Sequence, residues 1–345
     1  MRRLLFSFLC VLVASSAYGQ TPIDVYIFAG QSNMTGYLGG QGGLPAGTLN
    51  PNPNVLYSYK VTGPVSGQIY DSTSLVPLST VLSTGSSEMT FGQEMYERTG
   101  KKIAVIKVAA NATSLHYDWN IHSENLWYDA LVSKVTSTKD LLASAGYAPN
   151  FAGMFWTQGE GDAATNWQSV VYQQNLTDFI QTLRTDINVE VPFYLNQLHG
   201  GGVRPYIGAI RTAQNNVVAT VPNTRILNID DLTLLGDGIH FTTETHNEVG
   251  RRWADLVYPS GDFNYDNVVN DLDLAIWKST VGTTDMRGDG NSDNVVDGSD
   301  FLLWQRQNAA PPAPIAAVPE PASAVLALAS VAALGLFRRP SRARS

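Results

Sequence analysis

Five short apolar runs, separated by longer amphipathic stretches, constrain the fold of this chain more than any other feature. They are Ile23–Ala29, Ile103–Ala109, Phe151–Trp156, Val191–Gln197 and Arg225–Ile229. A strand with one wet face alternates apolar and polar residues. These runs are apolar nearly throughout, the pattern of parallel strands covered on both faces. Between them, Glu124–Ala145 and Trp167–Ile187 read as helices; in the second, Val171, Phe179, Leu183 and Ile187 fall on one face among polar neighbours. Val203–Thr220 and Thr243–Tyr258 complete the helical set. Such βα units predict an α/β fold, a doubly wound three-layer sandwich of the flavodoxin-like kind with a five-stranded parallel sheet. Its binding loops belong at the carboxyl ends of the strands. The segment Gly39–Thr84, rich in Gly, Pro, Ser and Thr, reads as a long insertion with at most short strands.

Two motifs sit where that topology puts chemistry, and a third lies late in the same domain. Gly30-Gln31-Ser32-Asn33-Met34 follows the first run, and Trp156-Thr157-Gln158-Gly159-Glu160-Gly161-Asp162 follows the third. A serine after a strand end holds its hydroxyl at the lip of the sheet, with neighbouring backbone N–H groups free to face an oxyanion. Asp237-Gly238-Ile239-His240-Phe241-Thr242 stands near the end of the domain. An Asp three residues before a His lets one loop supply both the carboxylate that orients an imidazole and the imidazole itself. The chain holds only five histidines, so few compete for the role of base. Each motif alone has a plainer explanation, a polar turn or a structural histidine.

Taken in order, G-Q-S-N-M, W-x-Q-G-E-x-D and D-G-I-H-F resemble the SGNH hydrolases, in the branch of sialate O-acetylesterase-like and plant-type carbohydrate acetyl esterases. The resemblance covers roughly Ile23 to Tyr258. It implies Ser32 as nucleophile, His240 as base and Asp237 as its orienter, acting on an acetylated carbohydrate without a catalytic cofactor. It further implies oxyanion donors from the Ser32 amide, from a backbone amide in the block Lys107–Leu115, and from the Gln158 side chain, with Gln31 and Glu160 at the same site. Within that block the usual pair of glycines is replaced by Asn111 and Ala112. An N–H donor does not require glycine, but a positive φ suits Asn better than Ala. Glu88 also matches a family position, and its expected role is structural. Tyr37, Tyr117, Trp119 and Trp127 lie near the motifs in sequence, and Trp119 is the expected sugar contact. A non-catalytic glycan-binding surface protein, or an SGNH lipase or thioesterase with another acyl group, remains open.

The ends of the chain point to export. Arg2 and Arg3, the apolar run Leu4–Val13 and the small residues Ala17 and Gly19 predict a signal peptide over residues 1–19. Its removal would take the sole cysteine, Cys10, and exclude disulfides and thiol chemistry from the mature protein. The esterase-like domain then spans residues 20–259, and residues 310–317 form a Pro/Ala linker. Residues 318–345 resemble a PEP-CTERM sorting signal: Pro319-Glu320-Pro321, an apolar segment and an arginine-rich tail. A helix of about 16 apolar residues rises only about 24 Å, so transient membrane association is expected. The expected location is secreted, or at the surface or envelope of a bacterium. A formal net charge of −8 argues against nucleic acid as a partner.

Residues 260–309 carry a repeat. Asp262, Asn264, Asp266, Val268, Asn270 and Asp273 recur 27 residues later as Asp289, Asn291, Asp293, Val295, Asp297 and Asp300. Each set precedes an apolar helix, Leu274–Lys278 or Phe301–Arg306. Oxygen donors at loop positions 1, 3, 5, 7 (a carbonyl), 9 and 12 fit Ca²⁺. The pair resembles dockerin type I repeats, which implies a small α-helical calcium-loop module and a cohesin-like partner. Asn267 and Asn294 replace the usual loop glycine, Asn being the residue that best tolerates the left-handed conformation.

Overall fold

The computed structural model describes residues 20–36, 51–63, 67–79, 86–121, 126–264, 268–291 and 293–308. The signal peptide, Tyr37, His122, Asp266, Asn267, the linker and the sorting signal lie outside the described residues.

Strand β1 (Thr21–Gly30) occupies the middle of the sheet. Val25, Ile27 and Ala29 point into one core and Tyr26 and Phe28 into another, which is why the run is apolar throughout. It pairs in parallel with β5 (Ile103–Ala109) on one side and β6 (Tyr147–Thr157) on the other. Beyond β6 come β7 (Phe193–Asn196) and β8 (Thr224–Leu227), also parallel. All five expected strands are present.

Among the described residues the sheet nevertheless has eight strands, not five. β2 (Asn52–Thr62) lies parallel to β5, and β3 (Ile69–Asp71) and β4 (Val76–Leu78) run antiparallel to β2. The order is β3-β2-β5-β1-β6-β7-β8, with β4 also on β2, so the sheet is mixed. The miss has a physical cause. β2 buries Val55, Tyr57 and Val61 but keeps Asn52, Asn54 and Lys60 less buried, so it shows no continuous apolar run.

Helices α3 (Leu126–Ser144), α4 (Asn166–Asp186) and α5 (Ile207–Thr220) cover one face, α2 (Ser87–Thr99) and α6 (Thr243–Val257) the other. The aromatic contacts are close on both sides: Trp156 to Phe179 at 4.6 Å and Phe155 to Trp253 at 4.8 Å between ring centres. Burying each such side chain stabilises the fold by roughly 1.5–3 kcal/mol. None of the helices among the described residues is long and apolar enough to cross a membrane.

The C-terminal repeat folds as two mirrored halves. α7 (Asp271–Thr280) and α8 (Gly298–Asn308) contain the two expected helices. The buried Asp273 carboxylate accepts from the N–H groups of Phe263, Asn264 and Asn270; Asp300 accepts from those of Gly290, Asn291 and Asp297. Trp277 Nε1 donates to the carbonyl of Asp297, and Trp304 Nε1 donates to that of Asn270, so each helix clasps the opposite loop. Asn294 adopts a left-handed φ of 69°. Its side chain meets the main domain, accepting from Asn228 N (3.1 Å) and donating to the Ile226 carbonyl (3.4 Å).

Candidate active site

β1 ends in a tight corner. Gly30 has φ +150°, and a Cβ there would lie 2.0 Å from the carbonyl oxygen of Thr157, so no other residue fits. The Gln31 N–H then donates to that same oxygen, and the chain enters the single turn α1 (Ser32–Thr35). The Gln31 carbonyl accepts from Met34 and Thr35. Ser32 therefore opens a helical turn, where geometry leaves the leading N–H groups without helical acceptors.

His240 meets Ser32 from across the molecule. His240 Nε2 lies 3.0 Å from Ser32 Oγ, and His240 Nδ1 lies 2.6 Å from Asp237 Oδ2. Asp237 Oδ1 accepts from the N–H groups of Ile239 and His240, which folds the loop around the carboxylate. Burial, the largest single influence, would raise the Asp237 pKa. Its hydrogen bonds from the His240 ring and the two backbone groups outweigh that and hold it at about 2, so it is ionised.

The other described histidines are occupied elsewhere. His246 is fully buried and held neutral, its pKa pushed down to about 3 by burial and then by Lys107 and His240. His199 Nε2 contacts the Leu232 carbonyl, and His116 sits among aromatic rings.

The expected oxyanion and substrate residues divide differently. Gln158 is buried, and its Nε2 lies 2.6 Å from Asp162 Oδ2 and 3.2 Å from Gln31 Oε1, while Tyr172 donates to its Oε1. Both amide hydrogens are spent, so its place is as a brace rather than a free donor. Gln31 Oε1 also accepts from Gly159 N and Gly161 N, tying the serine corner to the third motif. The Asn111 N–H donates to Thr62 Oγ1, which removes it as an oxyanion donor. Ala112 takes the left-handed conformation, φ 56°, which a glycine would adopt freely.

Trp119 is fully buried against Trp127, Trp156 and Phe179, with Nε1 donating to Thr113 Oγ1; it is core, not a sugar contact. Glu160 is buried as well and faces Asn33 instead of the surface. Glu88 forms a buried ion pair with Lys107 at 2.6 Å beneath α1, the structural role expected of it.

Two residues of the motifs were overlooked. Asn33 Nδ2 donates to Glu160 Oε1 (2.6 Å) and to the Ile239 carbonyl (3.0 Å), and its Oδ1 accepts from Phe241 N (3.0 Å). It thus grips the backbone on both sides of His240. Asp162 accepts from Leu115 N, His116 N and Gln158 Nε2, joining the second and third motifs. Both residues lie inside the quoted motifs, where their types and spacing were the available clue.

In the C-terminal module, among the described residues no group of three or more His, Cys, Asp or Glu side chains is gathered to hold a metal ion. Many of the expected ligands instead turn to their own loops. Asp289 accepts from Asp293 N and Asn294 N, Asn291 Oδ1 from Asp293 N, Asp293 Oδ1 from Val295 N and Asp297 Oδ1 from Ser299 N. Asn270 Oδ1 accepts from Leu272 N at the start of α7. Asp262 and Asn264 are half-buried, and Val268 and Val295 are exposed.

Three layers with a Ser–His–Asp contact at the carboxyl ends of the strands form the arrangement of a hydrolase able to act on acyl esters. The family described as SASA, carbohydrate esterase, sialic acid-specific acetylesterase, matches residues 22–258, and the chain belongs to it. It is an acetylesterase, a carboxylic ester hydrolase.

Two solved structures agree at the level of fold. A protein from Arabidopsis thaliana is similar at 21% identity and a TM-score of 0.50, over 66% of this chain and 94% of its own. NanS is similar at 14% identity and 0.53, over 76% and 99% respectively. A carbohydrate acetylesterase from Xanthomonas citri reaches 19% identity and 0.49, over 67% and 55%. The comparison with curated proteins gives no match.

Proposed function

We propose that the chain is a serine esterase that releases acetate from an acetylated carbohydrate. Ser32 Oγ attacks the acetyl carbonyl while His240 Nε2 takes its proton, and Asp237 holds the imidazole in the required tautomer. The sugar leaves as its hydroxyl after receiving that proton. Water, activated by the same imidazole, then hydrolyses the acetyl-enzyme. The developing oxyanion is met by backbone N–H groups, the Ser32 amide opening α1 and the amide of Ala112. The observation that carries this reading is the pair of contacts His240 Nε2–Ser32 Oγ at 3.0 Å and His240 Nδ1–Asp237 Oδ2 at 2.6 Å.

The test is acetate release by wild type and Ser32→Ala from acetylated xylan, acetylated sialate and 4-nitrophenyl acetate, with circular dichroism as the folding control. Ser32→Ala is expected to be folded and inactive on all three. Wild-type turnover in that variant would overturn the serine mechanism and leave glycan binding without catalysis. A wild type that cleaves longer acyl esters and no acetylated sugar would favour the lipase or thioesterase alternative.

The C-terminal repeat is proposed to bind calcium and to dock a cohesin-like partner, on the strength of the duplicated oxygen spacing of its loops. The donor types are the hard oxygens that calcium takes, and metal binding would release the loop carboxylates from their backbone contacts. Chelation that leaves the melting of the module unchanged would exclude this. Export to the cell envelope is the accompanying proposal, resting on the terminal segments of the sequence.

A further inference from the structure

Tyr117 and Trp167 keep large aromatic faces in water, 60% and 46% exposed, although both lie next to buried elements of the candidate site. Trp119, two residues beyond Tyr117, is fully buried, so exposure here is a property of these two positions and not of the loop as a whole. The loop is pinned from below: Leu115 N and His116 N donate to Asp162, whose Oδ2 also receives Gln158 Nε2. Trp167 rises from the first turn of α4, five residues after Asp162. One carboxylate thus locates both the brace behind Ser32 and the base of the aromatic pair.

The rings are set against one another. His116 meets Tyr117 and Trp167 at 4.8 Å each, with interplanar angles of 83° and 88°, and Tyr117 meets Trp167 at 5.4 Å and 70°. Asn175 Nδ2 lies 3.5 Å from His116 Nδ1 and steadies the ring between them. Edge-to-face packing of this kind fixes ring orientation in advance, so a ligand would lose little conformational entropy in ordering them. A flat aromatic face matches the C–H face of a pyranose. The charged groups holding the loop are carboxylates, Asp162 and Asp118, and the chain as a whole carries −8, which disfavours an acidic sugar.

We propose that Tyr117 and Trp167, propped by His116, form a subsite for a neutral pyranose ring flanking the acetylated sugar. It rests on the reading that the substrate is an acetylated carbohydrate.

Binding can be measured without any turnover, which separates the two ideas. Wild type, Tyr117→Ala, Tyr117→Phe and Trp167→Ala would be titrated calorimetrically with xylohexaose, a neutral unacetylated probe, and with sialyllactose, an acidic one. Each alanine variant is expected to weaken xylohexaose binding by about 3- to 10-fold, the size of one aromatic contact. Tyr117→Phe should bind like wild type. In turnover, the alanine variants should raise KM on acetylated xylo-oligosaccharides by a similar factor with kcat retained. Their unchanged rate on 4-nitrophenyl acetate would show that the fold and the acyl site are intact. Wild-type xylohexaose affinity in both alanine variants would overturn the proposal, as would binding of sialyllactose in preference, or of neither sugar. Loss of acetate release from every sugar with xylohexaose binding intact would instead remove the esterase reading and leave the subsite standing.

Discussion

Asn33→Ala should damage catalysis more than its distance from the reacting atoms suggests. The side chain brackets His240 by taking the Phe241 N–H and giving to the Ile239 carbonyl, and it gives a second hydrogen bond to Glu160. Truncation strands a buried N–H and a part-buried carbonyl, at about 1–3 kcal/mol for each fully buried group. The Glu160 carboxylate adds less than a stranded charge would. Burial raises its pKa and the Asn33 hydrogen bond opposes that, so truncation shifts it further up and lessens the cost of the lost contact. The expected loss of stability is therefore about 2–4 kcal/mol. Catalysis should suffer separately, because a displacement of about 1 Å in a catalytic group costs on the order of 10²-fold. Asn33→Asp keeps the acceptor for Phe241 N but sets a carboxyl oxygen against Glu160 and the Ile239 carbonyl, and should be no milder than Asn33→Ala. Thermal melts give the first quantity, and kcat and KM on 4-nitrophenyl acetate give the second. A folded Asn33→Ala with wild-type kcat would refute the claim that this residue positions His240.

Ala112→Gly should stabilise the protein by about 0.5–1 kcal/mol, a left-handed Ala costing about 1–2 kcal/mol and the flexibility of Gly in the unfolded chain returning part of it; a lowered melting temperature would show the strain is absent. Asp237→Asn should reduce kcat by about 10⁴ while leaving the fold intact, as expected when the imidazole loses its tautomer, and a loss below tenfold would assign Asp237 another role. His246 stays neutral in the fold down to about pH 3, whereas the unfolded chain protonates it below about pH 6.5. Stability should therefore fall as pH drops through that window, by up to about 5 kcal/mol. His246→Leu should flatten the dependence in urea melts run from pH 7 to 4, and an unchanged slope would point to other groups.

The five central strands and the Ser32–Asp237–His240 contact were legible in the sequence because each rests on a local pattern. Doubly buried strands leave continuous apolar runs, and an Asp three residues from a His shares its loop. β2 was not legible, since a strand buried mainly through Val55, Tyr57 and Val61 and bounded by prolines and glycine looks like irregular chain. The role given to Trp119 failed for a different reason. Nearness in sequence to a motif says nothing about which way a side chain turns, and Tyr117 and Trp119 of the same loop turn opposite ways. Gln158 shows the same limit in polar form, because its amide is consumed by Asp162 and Gln31, contacts that only the folded loops create.

The Asn294 side chain has a consequence for solubility. β8 lies at the edge of the sheet, and Asn223, just before it, and Leu227, at its end, offer their carbonyls inward to the N–H groups of Phe193 and Gln197. The alternate groups, the Ile226 carbonyl and the Asn228 N–H, point outward and would form an open template on which a strand from another molecule could align. The carboxamide of Asn294 engages both, imitating the peptide unit of a neighbouring strand. The C-terminal module is thereby a stopper on the sheet, and an esterase domain shorn of it would carry an exposed edge for self-association.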